Sequence, residues 1–356
     1  MKPRLISLVI VIMASLFFLD RFLAGLEHAE VVNQARSFYA QGEALLSSGR
    51  AADAVPALQR AYALAREDRQ YQLALAQALF SAGRLNEAES LLRQLLDRDS
   101  NDGPSNLLMA RLEARSGDNQ QAEAYYHRAV YGTWPSPERA YQVRMELAAY
   151  LANNGDQRQL LSELLVLEDS APKDSAMQEK IAGLFLKAGS PPRAADAYRL
   201  IIQKHPDETA AYLGLADAEL AQGDFRLTEA SLRNALRERP DDQSIEDKLD
   251  FVRTLRDLDP TPRNLTSKEK LDRSLGLLDM VKTDLAECAE SRHQTDRAEA
   301  LLESAERMEK LKKPATNELA ESVLSLAEQL WQMRKEVCGA PSPNSPLPAL
   351  MLKVVQ

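Results

Sequence analysis

Apolar residues recur at intervals of three and four along most of the chain, the spacing that places them on one side of an α-helix. Runs that alternate apolar and polar residues, as a half-buried strand would, do not occur. Over residues 35–240 the helical stretches come in pairs, each pair interrupted by a glycine. The pattern therefore predicts an all-α protein built from consecutive helical hairpins.

The interrupting glycines keep a nearly constant phase, with intervals of 34, 34, 38, 34 and 34 residues. They are Gly49, Gly83, Gly117, Gly155, Gly189 and Gly223. Glycine suits the end of a first helix because it adopts the left-handed conformation without a Cβ penalty. Small residues follow at the points where two helices of a hairpin cross closely, namely Ala54, Ala88, Ala122 and Ala194, and then Ala61, Ala129 and Ala235.

A 34-residue period with paired helices and phased small residues resembles the tetratricopeptide repeat (TPR) family over residues 35–240. Leu160 and Thr228 stand where small residues would be expected, and units three and four match least well. The resemblance implies a right-handed solenoid of about six helical hairpins, in which the first helices line a concave wall that holds other chains. The alternative is an irregular helical solenoid.

The same resemblance implies which side chains line the concave wall. Carried over position by position, these protein-binding groove residues are Tyr39, Glu43, Gln77, Phe80, Arg111, Gln142, Asn153, Glu179, Lys187 and Asp217. They combine aromatic, amide and oppositely charged groups, which suits an extended peptide or a helix. For any one of them, a solvated helix face is an equal alternative.

The N-terminus carries Lys2 and Arg4 ahead of an uncharged apolar stretch, Leu5–Leu19, and apolar character resumes up to Leu26. As a helix, Leu5–Leu26 would measure about 33 Å, which is enough to span a bilayer. We expect an uncleaved signal anchor with the N-terminus cytoplasmic and the bulk periplasmic, in a bacterial-type inner membrane. A cleaved signal peptide that leaves a secreted or periplasmic protein, and a buried N-terminal helix, are the alternatives. Because glycine and proline are absent from residues 26–41, one helix could continue from the membrane into the first repeat.

The 34-residue phase ends after Pro240, and three longer helices are predicted between a Thr266-x-x-Glu269 capping box and Gly339. Cys288 and Cys338 fall near the C-terminal ends of the first and third of them. In an up–down–up bundle both cysteines reach the same end, which favours a disulfide and an oxidising compartment over two buried thiols. Prolines and serines predict a flexible tail beyond residue 339, although the apolar stretch Ala349–Val355 could fold back on the bundle.

Charge and composition argue against several functions. The formal net charge of −9, without a basic stripe, disfavours nucleic-acid binding. The four histidines are scattered, so no metal site or cofactor is expected. Ser291, His293 and Asp296 lack the strand–turn–helix context of a catalytic triad. The acidic turn at residues 97–103 places its glycine one position late for a calcium loop, and a solvated turn is expected instead.

The four-residue insertion behind the 38-residue interval contains Trp134 between a glycine and two prolines. Two outcomes are equally open. Trp134 could be an exposed anchor for a partner, or it could fold inward and fill the junction between units three and four.

The sequence thus predicts a non-enzymatic, membrane-anchored scaffold that binds a protein or peptide partner. The alternative is an accessory subunit of an envelope enzyme complex that assembles polysaccharide or cell wall, whose groove should then show several aromatic platforms. A self-assembling array is a third option, and the oligomeric state is undetermined. The expected divisions are a signal anchor at 1–26, a juxtamembrane helix at 27–34, repeats at 35–240, a capping helix and linker at 241–263, a three-helix bundle at 264–339 and a tail at 340–356.

Overall fold

The computed structural model describes residues 3–170, 174–293, 295–310, 314–339 and 345–355. Within those ranges the chain forms seventeen α-helices and no strand, apart from an isolated bridge between Asp102 and Thr133. The contacts divide the chain into two compact units, which comprise Met1–Gly155 and Asp156–Gln356. The all-α prediction is confirmed, while the finer domain boundaries drawn from the sequence stay predictions.

Unit 1 contains seven helices. They are α1 (Pro3–Ser47), α2 (Ala51–Leu64), α3 (Arg69–Ser81), α4 (Leu85–Arg98), α5 (Gly103–Ser116), α6 (Asn119–Val130) and α7 (Pro137–Asn154). Unit 2 contains ten helices. They are α8 (Gln157–Ser170), α9 (Ser175–Lys187), α10 (Pro191–Lys204), α11 (Thr209–Ala221), α12 (Phe225–Glu238), α13 (Gln243–Leu258), α14 (Ser267–Ser291), α15 (Thr295–Glu309), α16 (Asn317–Cys338) and α17 (Leu347–Val355).

The repeat helices begin and end with recurrent local devices. Aspartate side chains cap the free backbone N–H groups at several helix starts, for example Asp68 at α3 and Asp118 at α6. Glycines with positive φ end five of the first helices, at Gly49, Gly83, Gly117, Gly189 and Gly223. In each of these hairpins the chain therefore reverses within two or three residues, as the glycine phase predicts.

Gly155 departs from this rule. Its φ is −113° and its ψ is −173°, an extended conformation that does not require glycine. The reason for glycine here is close packing, because a Cβ atom would lie 2.6 Å from Leu151 Cδ2. The expectation of a left-handed turn in unit four is wrong.

Small side chains allow the two helices of each hairpin to approach closely. Every alanine assigned to a crossing position is fully buried, namely Ala54, Ala61, Ala88, Ala122, Ala129, Ala194 and Ala235. Leu58, Leu79 and Leu92 lie beside them in the core of unit 1, each at most 2% exposed. This alternation of small and large residues lets the helices of consecutive hairpins pack closely.

The first helix, α1, is a single element of 45 residues, so the expected continuous helix from residue 26 to residue 41 is confirmed. The side chains of most of residues 1–26 lie outside the described part of the structure. The proposed anchor falls on those residues. Among the residues that were described, no helix has the length and apolar character needed to traverse a bilayer.

In the C-terminal part of unit 2, α14, α15 and α16 pack against one another. The predicted capping box is present, with Thr266 Oγ1 accepting from Glu269 N and Glu269 accepting from Thr266 N. Cys288 and Cys338 form the predicted disulfide, with their Cα atoms 6.1 Å apart. The same end of the bundle holds Arg334, which pairs with Asp284 and donates to the carbonyl of Gly339.

The final helix, α17, corrects the expectation of a flexible tail. Residues 340–344 and 356 lie outside the described residues, but Leu347–Val355 is helical and contacts α13, α14 and α16. Its apolar side chains Leu350 and Met351 are at most 1% exposed, and Lys353 Nζ lies 2.8 Å from the buried carboxylate of Asp259. The apolar face of α17 is therefore buried and helical, although the sequence just before it is rich in proline.

Candidate protein-binding face

In unit 1 the first helices of successive hairpins touch, α1 against α3 and α3 against α5. Glu43, Gln77 and Arg111 occupy equivalent positions on these helices, 34 residues apart. We call the surface that carries them the inner face. The residues on either side of Gln77 and Arg111 are buried, yet these two polar side chains retain access to solvent. The inner face is thus a polar ladder set between packed positions.

Arg111 is held by a charge pair that the sequence reasoning missed. Its Nε and Nη2 donate to the two carboxylate oxygens of Glu146 on α7, at 2.7 and 2.6 Å. Tyr126 Oη donates to the same carboxylate at 3.0 Å. Burial, and then the charge of Glu146, raises the pKa of Tyr126, while hydrogen bonding to Glu146 raises the pKa of Arg111. The separation of 35 residues between Arg111 and Glu146, close to the 34-residue repeat, was the available signal for this pair.

The two aromatic groove residues of unit 1 are already engaged. Tyr39 stacks on Tyr71 with ring centroids 4.9 Å apart, and its hydroxyl accepts from Gln70 at 2.9 Å. Burial raises the pKa of Tyr39. The Arg115 guanidinium lies 5.6 Å from the Phe80 ring centroid, a cation–π arrangement. One face of each ring is therefore covered by a neighbouring side chain. This does not favour a glycan-binding surface, which would need several free aromatic faces for the sugar rings.

The remaining predicted groove residues of unit 1 lie on α7 and are exposed. Gln142 accepts from Arg139 at 3.0 Å, and Asn153 donates to the carbonyl of Ala149 at 3.0 Å. Both hydrogen bonds stay within α7, so neither side chain joins the Arg111 network.

In unit 2 the predicted groove residues lie on α9 and α11, which touch each other. Asp217 pairs with Lys248 at 3.2 Å on the surface. Burial, and then the charge of Glu208, raises the pKa of the half-buried Glu179. Lys187 is exposed at the C-terminal end of α9. These residues form a second, mixed-charge surface within unit 2.

Trp134 folds inward and is not the exposed anchor that one of the two sequence alternatives offered. Its Nε1 donates to the carbonyl of Ala129 at 2.7 Å, and its ring lies so close to Gly103 that a Cβ there would meet Cε2 at 2.4 Å. Thr133 bonds the preceding turn in both directions, donating to Asn101 O at 2.7 Å and accepting from Gly103 N at 3.1 Å. The insertion thus braces the start of α5 within unit 1.

The acidic turn before α5 is structural as well. The buried Asp102 caps α5 by accepting from Ser105 N at 3.0 Å, and it pairs with Arg69. Asp99 accepts from the backbone of Asn101 in the same turn. Across the described residues, no group of three His, Cys, Asp or Glu side chains could hold a metal ion.

Comparisons with known proteins agree with this geometry. Two family models described as tetratricopeptide repeat match the chain, one at residues 45–112 and 79–133 and the other at residues 179–243. Residues 134–178, which include most of unit four, lie outside these matches. No curated protein matches the sequence.

Solved structures with partial similarity include other repeat proteins. The C-terminal part of a TPR repeat-containing protein from Cytophaga hutchinsonii is 10% identical with a TM-score of 0.47, covering 85% of this chain and 100% of that chain. Pseudomonas aeruginosa pilF is 16% identical with a TM-score of 0.44, covering 62% and 97%. YrrB, described as a TPR protein with an unusual peptide-binding site, is 14% identical with a TM-score of 0.43, covering 54% and 96%. These likenesses carry no functional argument.

TPR proteins commonly act as protein-interaction scaffolds. The matched ranges contain the hairpins whose glycine turns and buried alanines are described above. Residues 45–133 and 179–243 of this chain are therefore similar to tetratricopeptide repeats, both in sequence and in the form of their hairpins.

Proposed function

We propose that this protein is a non-enzymatic scaffold whose inner face in unit 1 binds an extended peptide or a helix of a partner protein. The accessible polar ladder of Glu43, Gln77 and Arg111 carries the proposal. Arg111 remains 38% exposed although it is bound to Glu146, so its guanidinium is oriented in advance and still reachable. A side chain fixed before binding loses less conformational entropy when a partner arrives.

Site-specific crosslinking tests this proposal. A photo-crosslinking residue is placed at Gln77 of the intact chain in cells, and the captured protein is identified by mass spectrometry. The matched control carries the crosslinker at Arg93 of α4, whose side chain is 69% exposed and bonds only within its own helix. We expect one protein to be captured from Gln77 and not from Arg93. Capture from Arg93 alone would refute the inner face as the binding surface.

We also propose that residues 1–26 anchor the chain in a membrane, with everything beyond them on the extracytoplasmic side. The positive charges before the apolar stretch and the disulfide between Cys288 and Cys338 support this orientation. An alkaline-phosphatase fusion at Gln356 should be active and should sediment with membranes. An active but soluble fusion would indicate signal cleavage, and an inactive one would exclude the orientation.

The alternative role, in which the groove of an envelope enzyme subunit holds a glycan, is not favoured. Tyr39 and Phe80 each have one ring face already covered by a neighbouring side chain. If the protein captured from Gln77 is itself an envelope enzyme, the scaffold role and the complex coincide.

A further inference from the structure

Unit 2 contains a charged cavity of about 430 Å³ that the scaffold role does not use. It lies where the start of α12, the segment between α13 and α14, and α17 meet. Its lining includes five cationic side chains, Arg226, Arg256, Arg263, Arg273 and Lys353. We call it the arginine cavity. On a chain with a formal net charge of −9, this local excess of positive charge needs an explanation.

The three carboxylates of the lining are all engaged. Asp224 caps α12 by accepting from Leu227 N at 3.0 Å. Asp257 bonds Arg256 at 3.0 Å. Asp259 accepts from the backbone and hydroxyl of Thr261 and pairs with Lys353 at 2.8 Å. These contacts pair Arg256 and Lys353 with carboxylates, whereas the charge of Asp224 is not paired with a cation by its cap.

Arg226 and Arg263 have no carboxylate within 4.0 Å among the described residues, and both side chains are exposed at the cavity. Arg273 donates to the carbonyls of Arg256 and Asp259, at 3.1 and 2.9 Å. A carbonyl orients a guanidinium group but does not cancel its charge. The lining therefore has five cationic side chains against three carboxylates, a net formal charge of +2 around one space.

We propose that the arginine cavity binds a small organic anion of two or more charges that carries phosphate or carboxylate groups. The planar guanidinium fork matches both groups bidentately, and its charge does not vary near neutral pH. Phe225, Pro262 and Leu265 provide apolar wall for a carbon skeleton, and the volume falls in the range of small-molecule sites. The assignment is independent of the inner face, because every lining residue belongs to unit 2.

Calorimetric titration of the intact chain tests the assignment, with pyrophosphate and citrate as separate probes and sodium chloride as the monovalent reference. The test variant is Arg226→Gln with Arg263→Gln, which should fold normally because both side chains are exposed and neither forms an ion pair with the described residues. The matched control is Arg237→Gln, on the same helix as Arg226, exposed and bonded only to Asn234. We expect the double variant to weaken probe binding at least tenfold and the control to change it less than twofold.

The two probes distinguish the source of the charge. Tighter binding of pyrophosphate supports a phosphoryl ligand, and tighter binding of citrate supports a polycarboxylate. The assignment is overturned if neither probe binds above the chloride reference. It is equally overturned if Arg237→Gln weakens binding as much as the double variant does, since the effect would then reflect general charge.

Discussion

The repeat hairpins and the C-terminal bundle both consist of helices packed side by side, but the helices differ in length and in how they are connected. Helices α2 to α5 are 13 or 14 residues long, and the two helices within a hairpin, such as α3 and α4, are joined through a left-handed glycine. Helices α14 and α16, by contrast, have 25 and 22 residues. The bundle closes through Cys288 and Cys338, which are separated by 50 residues in sequence. Repeats are therefore stabilised by neighbours in sequence, and the bundle by a distant covalent bond.

This difference shows where each region is vulnerable. In the repeats, cores such as that around Leu92 connect consecutive hairpins, so local damage should stay near its site. In the bundle, one bond constrains the unfolded chain over a long loop. The chain has two tryptophans, Trp134 in unit 1 and Trp331 in α16. Replacing either by phenylalanine leaves a fluorescent reporter for the other region.

The largest effect is expected from removing the disulfide. With Trp331 as the only tryptophan, Cys288→Ala with Cys338→Ala should lower the free energy of unfolding of the bundle by about 4 kcal/mol, the loop-closure term for about 50 residues. Urea titration of Trp331 fluorescence measures this change. The Trp134 transition in the matching variant should stay within about 0.5 kcal/mol. Equal shifts of both reporters would contradict the separation of the two regions.

The corresponding change in the repeats is Leu92→Ala, which shortens a fully buried side chain of α4. Loss of apolar contacts and the resulting cavity should destabilise unit 1 by about 3 kcal/mol. The Trp134 transition should move to lower urea concentration while the Trp331 transition does not. The local-packing account fails if Trp331 responds as strongly as Trp134.

A glycine-to-alanine exchange should have opposite signs in the two regions. Gly117 has a φ of +85° and open space around its Cβ position, so Gly117→Ala should cost about 1 kcal/mol for conformational reasons alone. Gly276 lies inside α14, also with open space, and Gly276→Ala should stabilise the bundle by about 0.5–1 kcal/mol.

The two urea midpoints measure these changes, with Gly117→Asn as a control. Asparagine tolerates the left-handed conformation better than alanine, so it should restore part of the loss. A loss at Gly276 as large as that at Gly117 would show that the backbone conformation is not the cause.

The smallest expected effect concerns the capping box of α14. Hydrogen bonds from the side chain and backbone of Thr266 lower the pKa of Glu269 from its ordinary value of 4.5. Because the pKa of Glu269 is lower in the folded protein, its ionised form stabilises the fold fully at pH values above the pKa of the unfolded chain. This stabilisation is lost as the pH falls through the folded pKa. Glu269→Ala should therefore lower the Trp331 midpoint at pH 7 and have less effect at pH 3. A difference that does not change with pH would exclude the ionised cap.

Much of the fold could be predicted because its determinants are local and periodic. Five of the six phased glycines have positive φ, and the capping box and the disulfide occur where the sequence placed them. Gly155 could not be assigned correctly, because packing on Leu151 and a left-handed turn both select glycine. The position of α17 could not be predicted from the sequence either. Its Lys353 pairs with Asp259, which lies almost a hundred residues earlier in the chain.

The candidate sites were harder to predict because side-chain partners come from other repeats. The sequence offered Tyr39 and Arg111 as groove residues, but it did not reveal their pairing with Tyr71 and Glu146. The arginine cavity was missed for the same reason. Its cations are scattered from Arg226 to Lys353, and only the fold shows which of them lack a carboxylate.

The binding role of the inner face is tested most directly by the dissociation constant of the partner captured at Gln77. The variant Glu43→Lys with Gln77→Lys should weaken binding to the intact chain at least tenfold, about 1.4 kcal/mol. Arg93→Glu on α4 should change the constant less than twofold. Unchanged binding by the inner-face variant, or a larger loss with Arg93→Glu, would contradict the proposal.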